Sequence, residues 1–314
     1  MPCPEPFVRR APRGRPWRAL ALVAGLVAGC AVGPDYVRPA LDIPAAYKEG
    51  PGWKSAEPRS VDSISRWWEE YGDATLNGLV EAADAANQNI RQAEAQYRQA
   101  KALADAARAG FWPGIGASVS AGRGTATTGA RATATSLSAG LSASWEPDLW
   151  GSVRRAVEAG DASAQASADD LAAARLSIRS ALAQDYLQLR YVDVQRNLYA
   201  NTNVAYARAL KLTQAQYAAG VVLRSDVALA ETQLKSTQAA GADLDAQRAQ
   251  LEHAIAILTG RAPAQFSLAP LAADAFQPRL PALPGALPSD LLERRPDVAA
   301  AERRAAAANA GIGV

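Results

Sequence analysis

Residues 111–122 read FWPGIGASVSAG, and residues 137–150 read LSAGLSASWEPDLW. In the first stretch Ile115, Ala117, Val119 and Ala121 alternate with Gly116, Ser118, Ser120 and Gly122. In the second, Leu137, Ala139, Leu141, Ala143 and Trp145 alternate with Ser138, Gly140, Ser142 and Ser144. A period of two on both sides of a Gly/Thr-rich stretch predicts two strands, each with one apolar face and one face of small, polar residues. Each run has about the 9–11 residues of a tilted transmembrane strand, and the small polar face suits a water-filled lumen. Phe111 and Trp112 open the first strand, while Trp145 and Trp150 close the second. Antiparallel pairing gathers these four aromatics at one end, as a membrane-interface girdle. Alternation alone also describes a soluble hairpin with one buried face; the aromatics and a lipid-attachment signal upstream decide for the membrane.

On both sides of the hairpin the period changes to that of a helix. Leu76, Leu79, Val80, Ala83, Ile90, Ala93 and Tyr97 recur at steps of three, four and seven, predicting one helix over 75–109 that stops at Gly110 and Pro113. After Gly151 a longer helix is expected to run to about Tyr217. Its heptad positions are Leu171, Arg175, Ile178, Leu182, Asp185, Leu189, Val192, Arg196, Tyr199, Asn203, Tyr206, Leu210, Thr213 and Tyr217, nine of the fourteen apolar, an interrupted coiled-coil seam. A second stripe runs through Leu176, Ala183, Leu187, Val194 and Leu198. At 1.5 Å per residue such a helix is roughly 100 Å long, and two seams let it pack between two neighbours in a wall of helices. Gly220 breaks the pattern, and Ser225 with Asp226 offers acceptors for the amides that begin the next helix, expected over 227–258 and ending at Gly260. The charged residues of this hairpin, Glu231, Lys235 and the arginines from Arg175 to Arg196, are assigned to solvated or tunnel-lining faces. A proline-rich connection follows from Pro263 to Pro288. Then Asp297–Ala310 resembles Asn89–Ala102, with Ala301 and Glu302 matching Ala93 and Glu94. That offset reads as a second structural repeat beginning and cut off at Val314, with about 150 residues of it to follow.

The first thirty residues carry Arg9, Arg10, Arg13, Arg15 and Arg18 and then the apolar run Ala19–Gly29, a basic region and a hydrophobic region of a signal segment. The run is shorter than the roughly 20 residues of a membrane-spanning helix. It closes on Val27-Ala28-Gly29-Cys30, which resembles the lipobox of bacterial lipoproteins and implies cleavage before Cys30 and covalent lipid on that residue. Several acyl chains anchor stably where one does not, and Ala31 in place of aspartate implies sorting to the outer membrane. Removing the five arginines and one glutamate of residues 1–29 from 33 basic and 31 acidic side chains leaves 28 against 30, a net charge of −2. No nucleic-acid partner is indicated. Hydrophobic residues make up 49% of the chain but aromatics only 6%, with alanine supplying much of the difference, which favours closely packed helices.

A lone hairpin cannot close. In lipid, unpaired edge amides and carbonyls each cost several kcal/mol, and the smallest bacterial barrels have about eight strands. Even two hairpins per subunit fall short, so subunits must pool their strands.

These features, together with Gly33-Pro34-Asp35-Tyr36, Arg66-Trp67-Trp68, the segment Trp145–Gly151 and Arg294-Arg295-Pro296-Asp297-Val298, resemble the NodT-like outer-membrane efflux lipoproteins of the TolC superfamily. The resemblance implies a mainly α fold with transmembrane β, in which three subunits build a twelve-stranded barrel continuous with a periplasmic α-helical tunnel. On that reading, residues 1–29 are the signal peptide, 30–65 the lipidated tether, 66–110 a periplasmic helix and 111–150 the transmembrane hairpin. Residues 151–260 form the helical hairpin of the tunnel, 261–289 the connection and 290–314 the start of the second repeat. It further implies a homotrimer that exports small molecules or drugs, with an inner-membrane transporter of the resistance-nodulation-division type and a periplasmic adaptor. The adaptor docks on the helical tip, here Gly220, Val221, Val222, Leu223, Arg224, Ser225 and Asp226. The outer channel of a type I protein-secretion system and a non-channel periplasmic coiled-coil lipoprotein are the alternatives. No enzyme constellation, metal cluster or phosphate loop accompanies the single histidine, His253, and no cofactor is expected beyond the lipid on Cys30.

Overall fold

The computed structural model describes residues 32–38, 66–125, 133–272 and 295–314. The signal segment, Cys30, most of the proline-rich tether and residues 273–294 lie outside the described residues. A 3-10 turn at Trp67–Tyr71 leads into α1 (Ala74–Ala86), α2 (Gln88–Ala109), β1 (Gly114–Thr125) and β2 (Thr133–Ser144). These are followed by α3 (Ser152–Ala218), α4 (Arg224–Leu258), a 3-10 turn at Pro263–Gln265, α5 (Pro296–Ala310) and a last 3-10 turn at Gly311–Gly313. The chain divides into two compact units, one formed by Met1–Ala40, Tyr97–Ser167 and Ala300–Val314, the other by Leu41–Gln96 and Ala168–Ala299.

The second unit holds the larger core. Leu76, Leu79, Val80 and Ala83 of α1 and Ile90 of α2 are buried with Ile178, Leu182, Ala183, Tyr186 and Leu189 of α3, and with Ile255 and Ala256 of α4. The heptad residues Ile178, Leu182, Leu189 and Val192 are buried, whereas Leu176 and Leu198 of the second stripe are exposed. Trp68 closes one side, lying under the Arg179 guanidinium at 4.9 Å, while Arg179 forks onto Asp84 at 2.9–3.2 Å. Deleting a large buried side chain here, Leu182→Ala for example, costs about 2–5 kcal/mol.

Two sequence expectations need correction in this unit. The helix expected over 75–109 is two helices, parted at Asn87, whose ψ of 128° is extended. The Asn87 side-chain oxygen accepts from Asn89 N and Ile90 N, capping α2, and its amide nitrogen donates to Leu258 O at 2.8 Å, one of the orphan carbonyls ending α4. Periodicity missed the break because Ala83 and Ile90 stay seven residues apart across it. The arginines from 175 to 196 are also not simply solvated. Arg190 and Asp193 are buried, and Asp193 accepts from Arg248 Nε (2.7 Å), Arg190 Nη1 (3.3 Å) and Leu271 N (3.2 Å). Arg190 and Arg248 in turn donate to Ala269 O (2.8 Å) and Leu268 O (2.6 Å), so the charges fasten the segment after α4 across α3 and α4.

The first unit packs on small side chains. Ala104, Ala162, Ala166, Ala300, Ala306 and Ala310 are buried, and a Cβ added at Gly160 would lie 3.1 Å from Ala104 Cα, so α2 and α3 nearly touch backbone to backbone. From these helices extends the antiparallel pair β1–β2, in the register Ile115↔Ala143, Ala117↔Leu141, Val119↔Ala139 and Ala121↔Leu137.

Candidate functional site

In the first unit the register places Ile115, Ala117, Val119 and Ala121 on one face with Leu137, Leu141 and the alanines between them. The other face carries Gly116↔Ser142, Ser118↔Gly140 and Ser120↔Ser138. All twelve residues of each strand are exposed, including Ile115 (81%) and Leu141 (85%), so neither face is a core. Among the described residues the sheet has two strands only, leaving both outer edges unpaired. The small face is internally tied by Ser120 and Ser138, whose hydroxyls lie 2.8 Å apart, and by Ser142 donating to Gly116 O. No described helix is long and apolar enough to cross a membrane, which says nothing of a barrel.

The aromatics gather at the base of this hairpin. Trp145 Nε1 donates to Phe111 O at 3.3 Å, and Trp112, Trp145 and Trp150 line one cleft. Each is well exposed: Phe111 39%, Trp112 76%, Trp145 60% and Trp150 62%. Asp148, a residue whose role the sequence reading did not specify, starts α3. Its carboxylate accepts from Val153 N (3.1 Å), Arg154 N (3.0 Å) and Arg154 Nε (3.3 Å), filling amides that open a helix without internal partners. Burial pushes its carboxyl up, but the two amides and the guanidinium outweigh that and hold it below the usual carboxylate range.

In the second unit the helical tip is a hydrogen-bonded turn. Gly220 has φ +73°; its N–H donates to Tyr217 O and the N–H of Val221 to Gln216 O, both at 2.9 Å, closing α3 in a Schellman motif that favours glycine. α4 begins at Arg224, three residues earlier than expected, and Asp226 accepts the Leu223 N–H at 2.9 Å. Ser225 therefore sits inside the first turn of α4 instead of capping it. Val221 and Leu223 are both 71% exposed, Val222 is half-buried, and Gly220, Arg224, Ser225 and Asp226 are open to solvent. His253 is exposed on α4.

Residues 79–261 match the family described as Outer membrane efflux protein. The chain belongs to that family. Among curated members of the outer membrane efflux proteins, it is 31% identical to the pyoverdine export outer membrane protein OpmQ of Pseudomonas aeruginosa. The alignment covers 92% of this chain and 62% of that protein. It is 30% identical to nodulation protein T of Rhizobium leguminosarum, with the same coverages. The chain thus spans about three-fifths of the length of these relatives. Among solved members, the outer-membrane channel OprN superposes with a TM-score of 0.73 at 33% identity, over 91% of this chain and 64% of that one. The MtrE channel of Neisseria gonorrhoeae in its open state gives 0.73 at 26%, over 90% and 63%. The fold is therefore TolC-like, mostly helical with a β-hairpin, as the sequence resemblance implied.

Proposed function

We propose that this outer membrane efflux protein is a subunit of a passive exit duct, a homotrimer whose pooled strands close a twelve-stranded barrel in the outer membrane. The observation that carries the reading is the hairpin, with one apolar face and one small polar face, both exposed, and with both edges unpaired among the described residues. Such a ribbon is stable in lipid only when further strands take up its edges and water fills the polar side. The aromatic base is the interface girdle, Cys30 carries the lipid anchor, and no prosthetic group takes part. The exposed Val221 and Leu223 on the helical tip suit docking of a periplasmic adaptor, which links the duct to an inner-membrane transporter of the resistance-nodulation-division type. Relatives are named for pyoverdine, toluene and antibiotic export. One architecture serving such different cargo supports small molecules as substrates, with selection made by the pump.

The test is conductance of the full-length protein in planar bilayers, paired with deletion in the host. Trimers that conduct, and a deletion strain that accumulates toxic small molecules, are the expected results. A monomer that leaves the membrane once delipidated, together with unchanged drug accumulation, would overturn the reading.

A further inference from the structure

The segment just after Cys30 is held in place. Val32 N donates to Trp150 O at 3.2 Å, and Arg155 Nε and Nη2 donate to Val32 O (3.3 Å) and Gly33 O (3.1 Å). The same guanidinium pairs with Asp35 at 2.8 Å and Glu158 at 2.7 Å, and its side chain is only 7% exposed. Burying a guanidinium is costly unless its donors find acceptors, and here four of the five N–H groups do so, three of them on the chain segment 32–35. Asn309 adds a bond to Pro34 O at 2.8 Å. Gly33, at φ +102°, and Gly313 lie so close that a Cβ on Gly33 would come within 3.1 Å of Gly313 Cα.

Trp150, which receives the Val32 amide, belongs to the aromatic base of the hairpin. Position 30 is two residues from Val32, at most about 7 Å of chain. We infer that Arg155 is the positioning residue for the lipid anchor: by locking residues 32–35 onto the hairpin base, it makes the acyl chains on Cys30 enter the membrane at the level of the tryptophan layer. The inference rests on the proposed function, in that Cys30 is acylated and the hairpin inserted. Its physical value is effective concentration. When anchor and strands share one depth, insertion of either holds the other at the bilayer surface, whereas a loose tether dilutes that gain.

The test uses full-length protein carrying a bimane label at V32C or, as reference, E146C. Both sites are exposed, and Val32 engages its neighbours through its backbone. Vesicles of phosphatidylethanolamine and phosphatidylglycerol contain nitroxide-headgroup lipid, and iodide is the aqueous quencher. With Arg155 intact, both labels are expected to be quenched by the nitroxide and shielded from iodide. In R155Q, and in D35A, where the partner removed is itself exposed, the label at 32 shifts to iodide quenching while that at 146 does not move; R155K retains part of the shielding. A label at 32 that is equally shielded in every variant, or already open to iodide with Arg155 intact, overturns the inference. Mass measurement of the N-terminal peptide separates the two failures. An unacylated Cys30 overturns the lipid reading, while an acylated Cys30 with unchanged quenching in R155Q overturns the positioning role alone.

Discussion

The Tyr186 hydroxyl donates to Asp73 Oδ2 at 2.6 Å, while Asp73 Oδ1 accepts from Thr75 N and Leu76 N. One carboxylate thus caps α1 and ties it to α3. Burial, with the Asp73 bond next, pushes the phenol above its ordinary range, only partly opposed by Arg190, so the hydroxyl stays protonated and donating. Tyr186→Phe removes one bond to a charged acceptor and is expected to cost about 1.5–3 kcal/mol. Thermal unfolding in detergent reads the loss, and faster hydrogen exchange at the first amides of α1 locates it.

Gly260 ends α4 at φ +69°, and a Cβ there would lie 2.6 Å from Ala86 O. Gly260→Ala therefore meets backbone strain and a clash with the end of α1, together about 1–3 kcal/mol or more. The same substitution at Gly220, with φ +73° but nothing within 4 Å of the added Cβ, pays the strain alone and should shift the melting midpoint less.

Asp193 is fully buried between Arg190 and Arg248. Asp193→Ala removes the buried carboxylate that Arg190 and Arg248 share, leaving Arg190 with a carbonyl acceptor only while Arg248 keeps Glu252, and is expected to destabilise by about 3 kcal/mol. Limited proteolysis should then open the chain between Phe266 and Leu271, because Leu271 N loses its acceptor in the same step.

Asp148 gives a pH dependence of known sign. Its folded-state carboxyl is held below the usual range, so the stability it contributes is fully present above the unfolded value of about 3.9 and is lost as pH falls through the lower folded value. In the Asp148→Asn protein the acid-side slope of melting midpoint against pH should flatten. An unchanged slope would show that the carboxylate does not start α3 through its charge.

The two hairpin faces should respond oppositely to charge. Leu141→Arg, on the apolar face, is expected to cost about 2–4 kcal/mol in the bilayer and reduce heat-modifiable trimers in the outer membrane. Ser142→Arg, one residue on and on the small face, should leave trimer yield intact and change conductance and ion selectivity. Equal assembly of both variants would contradict a lipid-facing apolar side.

Elements whose causes are local were legible in the residues alone. A period of two with aromatics at one end specified β1 and β2, heptad spacing specified α3, and Gly151, Gly220 and Gly260, each at positive φ, marked where helices stop or start. The motifs at Trp145–Gly151 and Gly33–Tyr36 were legible as a family signature, although their work was not. Tertiary structure decided what depends on partners far along the chain. α1 and α2 part at Asn87 because Leu258, 171 residues away, needs a donor. Arg190 and Asp193 are buried because Arg248 and the chain after α4 supply partners: Asp193 accepts from both guanidinium groups and Arg190 Nη1 donates to Ala269 O, although Arg190 Nε, beside the Tyr186 ring, has no hydrogen-bond partner. Arg155 holds Val32 and Asp35 across more than a hundred residues. Periodicity reports which face of an element is apolar. It carries no information on which charge a buried donor will meet, since that is fixed only when separate elements pack and desolvate the pair.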